Sequence, residues 1–117
     1  MANMVNAMPK ERTYSRYTRE AEALLAKQIK LGRKQREWSE AELADRAGIS
    51  RATLQKIEKG DMGVAIGLVF EVATLVGVTL FDQDRDTLAR HIVHANDKLA
   101  LMPSTIRNRH RPVDDDF

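Results

Sequence analysis

The sequence predicts an all-α fold of about five helices, and two observations carry that prediction. Apolar residues recur at steps of three and four in its long segments, the spacing that lines one side of a helix. The breaks between those segments hold helix punctuation: Ser39 and Ser50 as N-caps, Gly48 and Gly77 as stops, Pro103 as a terminator. With 117 residues, the chain suffices for one compact domain with extensions and is marginal for two.

Residues 1–17 mix small, polar and basic side chains without sustained periodicity and read as a flexible amino-terminal arm. Thr18 is the expected cap of the first helix, with Glu20 and Glu22 near the positive end of its dipole. Leu24, Leu25, Ile29 and Trp38 are expected on its buried side. Lys27, Lys30, Lys34 and Arg36 form a mostly solvated face. In the second helix Ser39 caps and Glu42, three residues on, completes a capping box, while Leu43, Ala44 and Ala47 supply the apolar stripe. Gly48 can take the left-handed conformation that stops a helix. Ser50 then caps a third helix whose Leu54 and Ile57 point inward.

That third helix leaves Arg51, Ala52, Gln55, Lys56 and Lys59 facing out. Two short helices joined by such a turn form a helix-turn-helix, whose second helix enters the major groove of DNA. Arginine bridges guanine O6 and N7, glutamine bridges adenine N6 and N7, and alanine touches a thymine methyl. Those chemistries suit Arg51, Gln55 and Ala52, with Lys56 beside them and Lys59 placed for phosphate. The same residues would also suit an ordinary solvated face, but the surrounding motif favours DNA. Ser39, Ser50 and Thr53 are caps and helix-surface residues that are also expected to meet phosphates.

Asp61 to Gly63 is a turn, and the fourth helix follows it. Ile66, Val69, Phe70, Ala73 and Val76 form one apolar stripe, and Leu68, Val72 and Leu75 a second. A helix apolar on most sides needs cover from more than one direction. Gly77 ends it, and Val78 to Phe81 is extended. A fifth helix is expected from about Asp84 to Leu101, capped by Asp84 or Asp82. Its seam Leu88, Ile92, Ala95, Leu99 and Met102 steps by 4, 3, 4 and 3, as in helices that pack on another helix. The expected organisation is thus an arm (1–17), a DNA-binding domain (18–81), a carboxyl-terminal helix for dimerisation or packing (82–103) and a flexible charged tail (104–117). The expected dimer interface comprises Leu68, Val72, Leu75, Leu88, Ile92, Ala95 and Leu99.

The residues Leu43-Ala44, Ala47-Gly48-Ile49-Ser50, Thr53-Leu54, Ile57-Glu58 and Gly60 resemble the Cro/repressor-like (XRE) helix-turn-helix family over about Leu25 to Val78. The resemblance implies a five-helix, lambda-repressor-like DNA-binding domain, here with an additional carboxyl-terminal helix and flexible termini. It also implies that Arg33 of the first helix pairs with Glu58, which closes the third. Two positions depart from the family pattern: Gly32 stands where an apolar core residue is usual, and Glu37 where glycine or asparagine is usual. Within the family the overall plan resembles HipB-type antitoxins, which implies a HipA-type kinase toxin as partner and autoregulation of a shared operon.

Charge and composition agree with a small regulator. Residues 1–60 hold 13 Lys/Arg against 8 Asp/Glu, and residues 61–117 hold 6 against 9. The basic half carries the helix-turn-helix, as attraction to phosphate requires. The chain has no cysteine, which excludes disulfides and thiol catalysis and fits a reducing cytosol. No apolar run approaches the roughly 20 residues that span a membrane, and the amino end lacks a signal-peptide core. A cytoplasmic protein without cofactor is expected. No phosphate loop, spaced nucleophile and base, or metal-hydrolase pattern appears, so enzymatic activity is not expected.

His91 and His94 lie one helical turn apart, but without carboxylate or cysteine partners at ligand spacing they read as a surface or interface pair rather than a metal site. Asp114, Asp115 and Asp116 read first as a solvating tail; Phe117 after them makes the segment a candidate docking peptide for a protein partner. The sequence therefore predicts a homodimeric repressor of a palindromic operator, since two recognition helices about 34 Å apart reach successive major grooves. Its finer form is an antitoxin that neutralises a HipA-type kinase. Two rivals stay open: a stand-alone or phage-type repressor without a toxin, and an interaction adaptor whose helix-turn-helix no longer reads sequence.

Overall fold

The computed structural model describes residues 12–81 and 84–106. These described residues form five helices, α1 (Arg16–Gln35), α2 (Glu40–Ala47), α3 (Arg51–Glu58), α4 (Ile66–Leu75) and α5 (Arg85–Ala100), and no strand. The fold is all-α, as the sequence predicts. The chain divides after Leu80 into two compact units, the first holding α1 to α4 and the second α5.

In the first unit, α1 begins earlier than the sequence suggests. Ser15, not Thr18, is its cap: the Ser15 hydroxyl accepts from the Thr18 backbone N–H at 3.2 Å. Glu20 and Glu22 thereby fall beyond the first turn, and Glu20 pairs with Arg16 at 3.1 Å instead of serving the dipole. The buried stripe of α1 is Ala26, Ile29, Gly32 and Arg33, with Leu25 half-buried against the core. Leu24 is exposed, contrary to expectation. It precedes Ile29 by five residues, about 140° around a helix of 3.6 residues per turn.

Gly32 is explained by contact. A Cβ built there would lie 2.7 Å from the Val76 carbonyl oxygen and 3.0 Å from the Val76 Cβ. The absent side chain lets α1 approach the end of α4 more closely than an apolar core residue would allow.

The four helices of this unit end alike. The N–H groups of Trp38, Ile49, Asp61 and Val78 donate to the carbonyls of Arg33, Ala44, Lys56 and Ala73, each five residues back, at 2.8–3.2 Å. Such closures need one left-handed residue. Gly48, Gly60 and Gly77 fill that place at φ 71°, 80° and 81°, but after α1 it is Glu37, at φ 59°. Glu37 pays the Cβ–carbonyl crowding that glycine lacks, about 1 kcal/mol or more.

The core joins all four helices: Ile29 from α1, Leu43 and Ala44 from α2, Leu54 and Ile57 from α3, and Val69, Val72 and Ala73 from α4, together with Val76. Trp38, Ala47, Ile49, Val64, Leu75, Val78 and Leu80 pack around it. Ile29, Leu43, Leu54, Ile57 and Val72 are almost fully buried, and each such side chain contributes about 1.5–3 kcal/mol of transfer free energy. Around α4 the sequence-based division fails. Val72 belongs to the buried face with Val69, Ala73 and Val76, whereas Ile66 is 68% exposed.

Arg36 is exposed, as expected, but also makes a contact that the sequence does not reveal: its Nη1 donates to the Val76 carbonyl at 2.7 Å, at the end of α4. Cations favour that end of a helix because its last carbonyls are unpaired.

In the second unit, Asp84 caps α5 by accepting from the Asp86 N–H at 3.2 Å. No residue of α5 is buried. Among the described residues, no helix is long and apolar enough to cross a membrane.

Candidate nucleic-acid interface

Helices α2 and α3 are short, at 8 residues each, so their ends count heavily in holding them. Ser39 and Glu42 form the expected capping box, with both contacts at 3.0 Å. Ser50 caps α3 by accepting from the Thr53 N–H at 3.0 Å and donates to the Thr53 hydroxyl at 2.9 Å. Leu54 and Ile57 anchor the inner side of α3 in the core.

The last residue of α3 is tied to α1. Arg33 Nε donates to Glu58 Oε2 at 2.7 Å, Nη2 donates to Oε1 at 3.0 Å, and Nη1 donates to the Trp38 carbonyl at 2.9 Å. The two side chains retain only 8% and 4% of their exposure. The Glu58 hydrogen bond, opposed by burial and aided by the charge of Glu58, raises the Arg33 pKa, so the guanidinium stays protonated. A bidentate fork of this kind fixes direction as well as distance.

Residues 29–83 match the family model described as helix-turn-helix. This segment therefore carries a helix-turn-helix, formed by α2 and α3. No curated protein matches the chain. Among solved structures, one titled "MDT Protein" and one titled "HipB-O4 20mer complex" each resemble it at 25% identity and a TM-score of 0.47, covering 65% of this chain and 99% of that one. A structure titled "Structure of HipA-HipB-O2-O3 complex" gives the same figures. At that TM-score the likeness is too loose to carry function.

On the outer side of this helix-turn-helix, Arg51, Ala52, Lys56 and Lys59 are exposed. Thr53 and Gln55 are half-buried. One further residue organises this face, and nothing in the sequence singled it out. Glu40, the first residue of α2, accepts from Gln55 Nε2 at 3.0 Å and from Arg51 Nε at 3.3 Å through the same Oε1. The Gln55 hydrogen bond, then that of Arg51 and its charge, holds the Glu40 carboxyl below the usual carboxylate range against the opposing effect of burial. Arg51 and Gln55, expected as independent readers, are therefore already oriented by one carboxylate. Only an acid in the first turn of α2 hints at this, and that position suggests a dipole role instead.

The expected dimer residues separate. Val72 is wholly buried within its own unit and is removed from that set, because no second subunit can reach it. Leu75 is half-buried against the core, and Leu68 is 37% exposed. On α5, Leu88, Ile92, Ala95 and Leu99 are all exposed. Asp114, Asp115, Asp116 and Phe117 lie outside the described residues.

Proposed function

We propose that this protein is a sequence-specific transcriptional repressor that binds a palindromic operator as a homodimer. The observation that carries this reading is α3 itself: one side is locked by Leu54, Ile57 and the Arg33–Glu58 fork, and the other presents Arg51, Ala52, Gln55, Lys56 and Lys59. A rigid helix with donors along its free side is what major-groove reading requires. Selection from a pool of random duplexes tests it. The expected product is one inverted-repeat sequence with half-sites about one helical turn apart; recovery of no preferred sequence refutes it and favours the adaptor reading.

The dimer rests on apolar surface left uncovered. Leu88, Ile92 and Leu99 are 38%, 56% and 67% exposed along one helix, and Leu68 adds a partly exposed residue in the other unit. Ile92→Asp is expected to yield a monomer in sedimentation and to abolish operator binding, since each copy reads half a site. A dimer that survives this change moves the interface elsewhere.

The finer reading is an antitoxin acting in the cytoplasm, neutralising a HipA-type kinase and repressing its own operon. It is supported by the sequence plan: a basic helix-turn-helix followed by an acidic extension ending in Asp114, Asp115, Asp116 and Phe117. Co-purification with a kinase encoded beside it tests the pairing, and absence of such a partner leaves the stand-alone repressor. Deleting Asp114 to Phe117 then tests the tail: kinase affinity falls if the tail docks, while operator binding is unchanged.

A further inference from the structure

One cleft of the first unit is lined by cations without a carboxylate among the described residues. It lies between the start of α1 and the turn after α3, with Arg12, Tyr14 and Arg19 on one side and Lys59 and Gly60 on the other. Arg12 rests over the Tyr14 ring at 5.6 Å, held by an aromatic face rather than by an acid. Glu20, the acid nearest in sequence to Arg19, is engaged by Arg16 at 3.1 Å. Glu22 packs its methylenes toward Gly60, its Cγ 3.8 Å from where a Cβ would stand, and makes no ion pair with the three cations among the described residues.

Like charges gathered in one cleft repel each other, and an anion relieves that repulsion. The cleft's volume of about 540 Å³ far exceeds the roughly 30 Å³ share of one water, so it suits an extended polyanion better than a single ion. Lys59 belongs both to this cleft and to the outer side of α3, which makes the cleft continuous with the proposed DNA face. Arg12 and Tyr14 precede α1 and Arg19 lies in its first turns, all of them before residue 29, where the family match begins.

We propose that Arg12, Arg19 and Lys59 form a phosphate-binding cleft that seats the sugar–phosphate backbone of DNA beside the bases read by α3. The proposal rests on the repressor reading and adds contacts that position rather than specify.

The test is the salt dependence of binding to a 30-base-pair duplex of random sequence, for the full chain and for the pair Arg12→Ala/Arg19→Ala. Each lost phosphate contact makes the negative slope of log K against log [salt] shallower by about 0.9, so a decrease of about 1.8 in its magnitude per bound protomer is expected. The exposed pair Lys27→Ala/Lys30→Ala, outside the cleft, should leave the slope unchanged. A wild-type slope in the cleft variant, confirmed in Arg12→Gln/Arg19→Gln if the alanine pair is less stable, overturns the proposal. So does saturation of the cleft by inorganic phosphate, followed by NMR, combined with an unchanged DNA slope: that pattern assigns it to a free anion. Failure of the repressor reading looks different, because the wild-type chain then shows no preference between duplexes for Arg51→Ala to remove.

Discussion

Arg33 and Glu58 meet through two contacts of 2.7 and 3.0 Å with 8% and 4% of their side-chain surface exposed, whereas Arg51 and Glu40 share one contact of 3.3 Å with 64% and 28% exposed. Both pairs join another helix to α3, one at its last residue and one at its first. The same two residue types produce different behaviour because of water. The buried fork has already lost its hydration, so each partner depends on the other and neither can be traded. The outer pair is screened by solvent and worth little, so Arg51 can exchange Glu40 for a base edge at small cost. The last residue of α3 is thus fixed by a buried fork, whereas Arg51 at its start is held by an exposed contact that DNA would replace under the proposed repressor reading.

Breaking the inner pair should give the largest effect. Glu58→Ala leaves the Arg33 guanidinium buried with only the Trp38 carbonyl as acceptor, and a cost of about 3–5 kcal/mol is expected. Urea unfolding measures it. A loss under about 1 kcal/mol would mean that water reaches the guanidinium and that the fork does not fix α3.

Breaking the outer pair should hardly touch stability and should act on DNA instead. Arg51→Ala is expected to stay within about 0.5 kcal/mol of wild-type stability. It should weaken operator binding by about 1–3 kcal/mol and relax preference at one position per half-site. Lys59→Ala should weaken all duplexes alike and flatten the salt dependence. Binding to scrambled and selected duplexes separates the two outcomes. Equal losses on both duplexes for Arg51→Ala would assign it to phosphate and leave base reading to Gln55 and Lys56.

The inner pair can also be sharpened through the turn beside it. The Arg33 carbonyl receives the Trp38 N–H across Glu37, whose φ of 59° is unfavourable for a residue with a Cβ. Glu37→Gly should raise stability by about 1 kcal/mol, seen as a higher urea midpoint with an unchanged slope. No gain would show that the Glu37 side chain offsets its backbone strain through contacts of its own.

What was legible in the sequence divides along similar lines. The Ser39 capping box, the Ser50 cap, the Gly48 stop and the inward Leu54 and Ile57 depend on neighbours within one turn, so spacing alone reveals them. The Arg33–Glu58 pair was legible only through family resemblance, because 25 residues separate its members. Glu40 reaching Gln55, Arg36 reaching Val76 and the burial of Val72 depend on how helices cross, which no single-helix period encodes. Val72 shows why. On an apolar helix two stripes look equally buried, and only the position of the neighbours decides which one faces the core. The start of α1 was missed for a local reason: Ser15 lies only three residues before Thr18, and both residue types can cap a helix.

The smallest effect concerns Glu40 and depends on pH. Its carboxyl titrates below the ordinary range in the folded protein, chiefly because Gln55 donates to it and then because of Arg51. The unfolded chain therefore takes up the proton first as pH falls. The contribution of Glu40 to stability is complete above the usual carboxylate pKa of about 4.3 and disappears as pH drops through the lower folded value. Glu40→Gln retains an oxygen acceptor for Arg51 but carries no titrating charge. The variant and the wild type should therefore differ slightly at neutral pH, and the gap should narrow as pH falls below the usual carboxylate range. At neutral pH the variant should also bind random duplexes more tightly, since a negative charge beside the phosphates is gone and Arg51 is no longer neutralised. Urea midpoints measured from pH 3 to pH 7, with anisotropy on a random duplex, give both readouts. A gap between the two proteins that does not change from pH 7 to pH 3 would locate the effect in packing around Gln55. DNA affinity unchanged by the substitution would show that Glu40 lies too far from the phosphate path to act on it, and would leave it a positioning residue for Arg51 and Gln55.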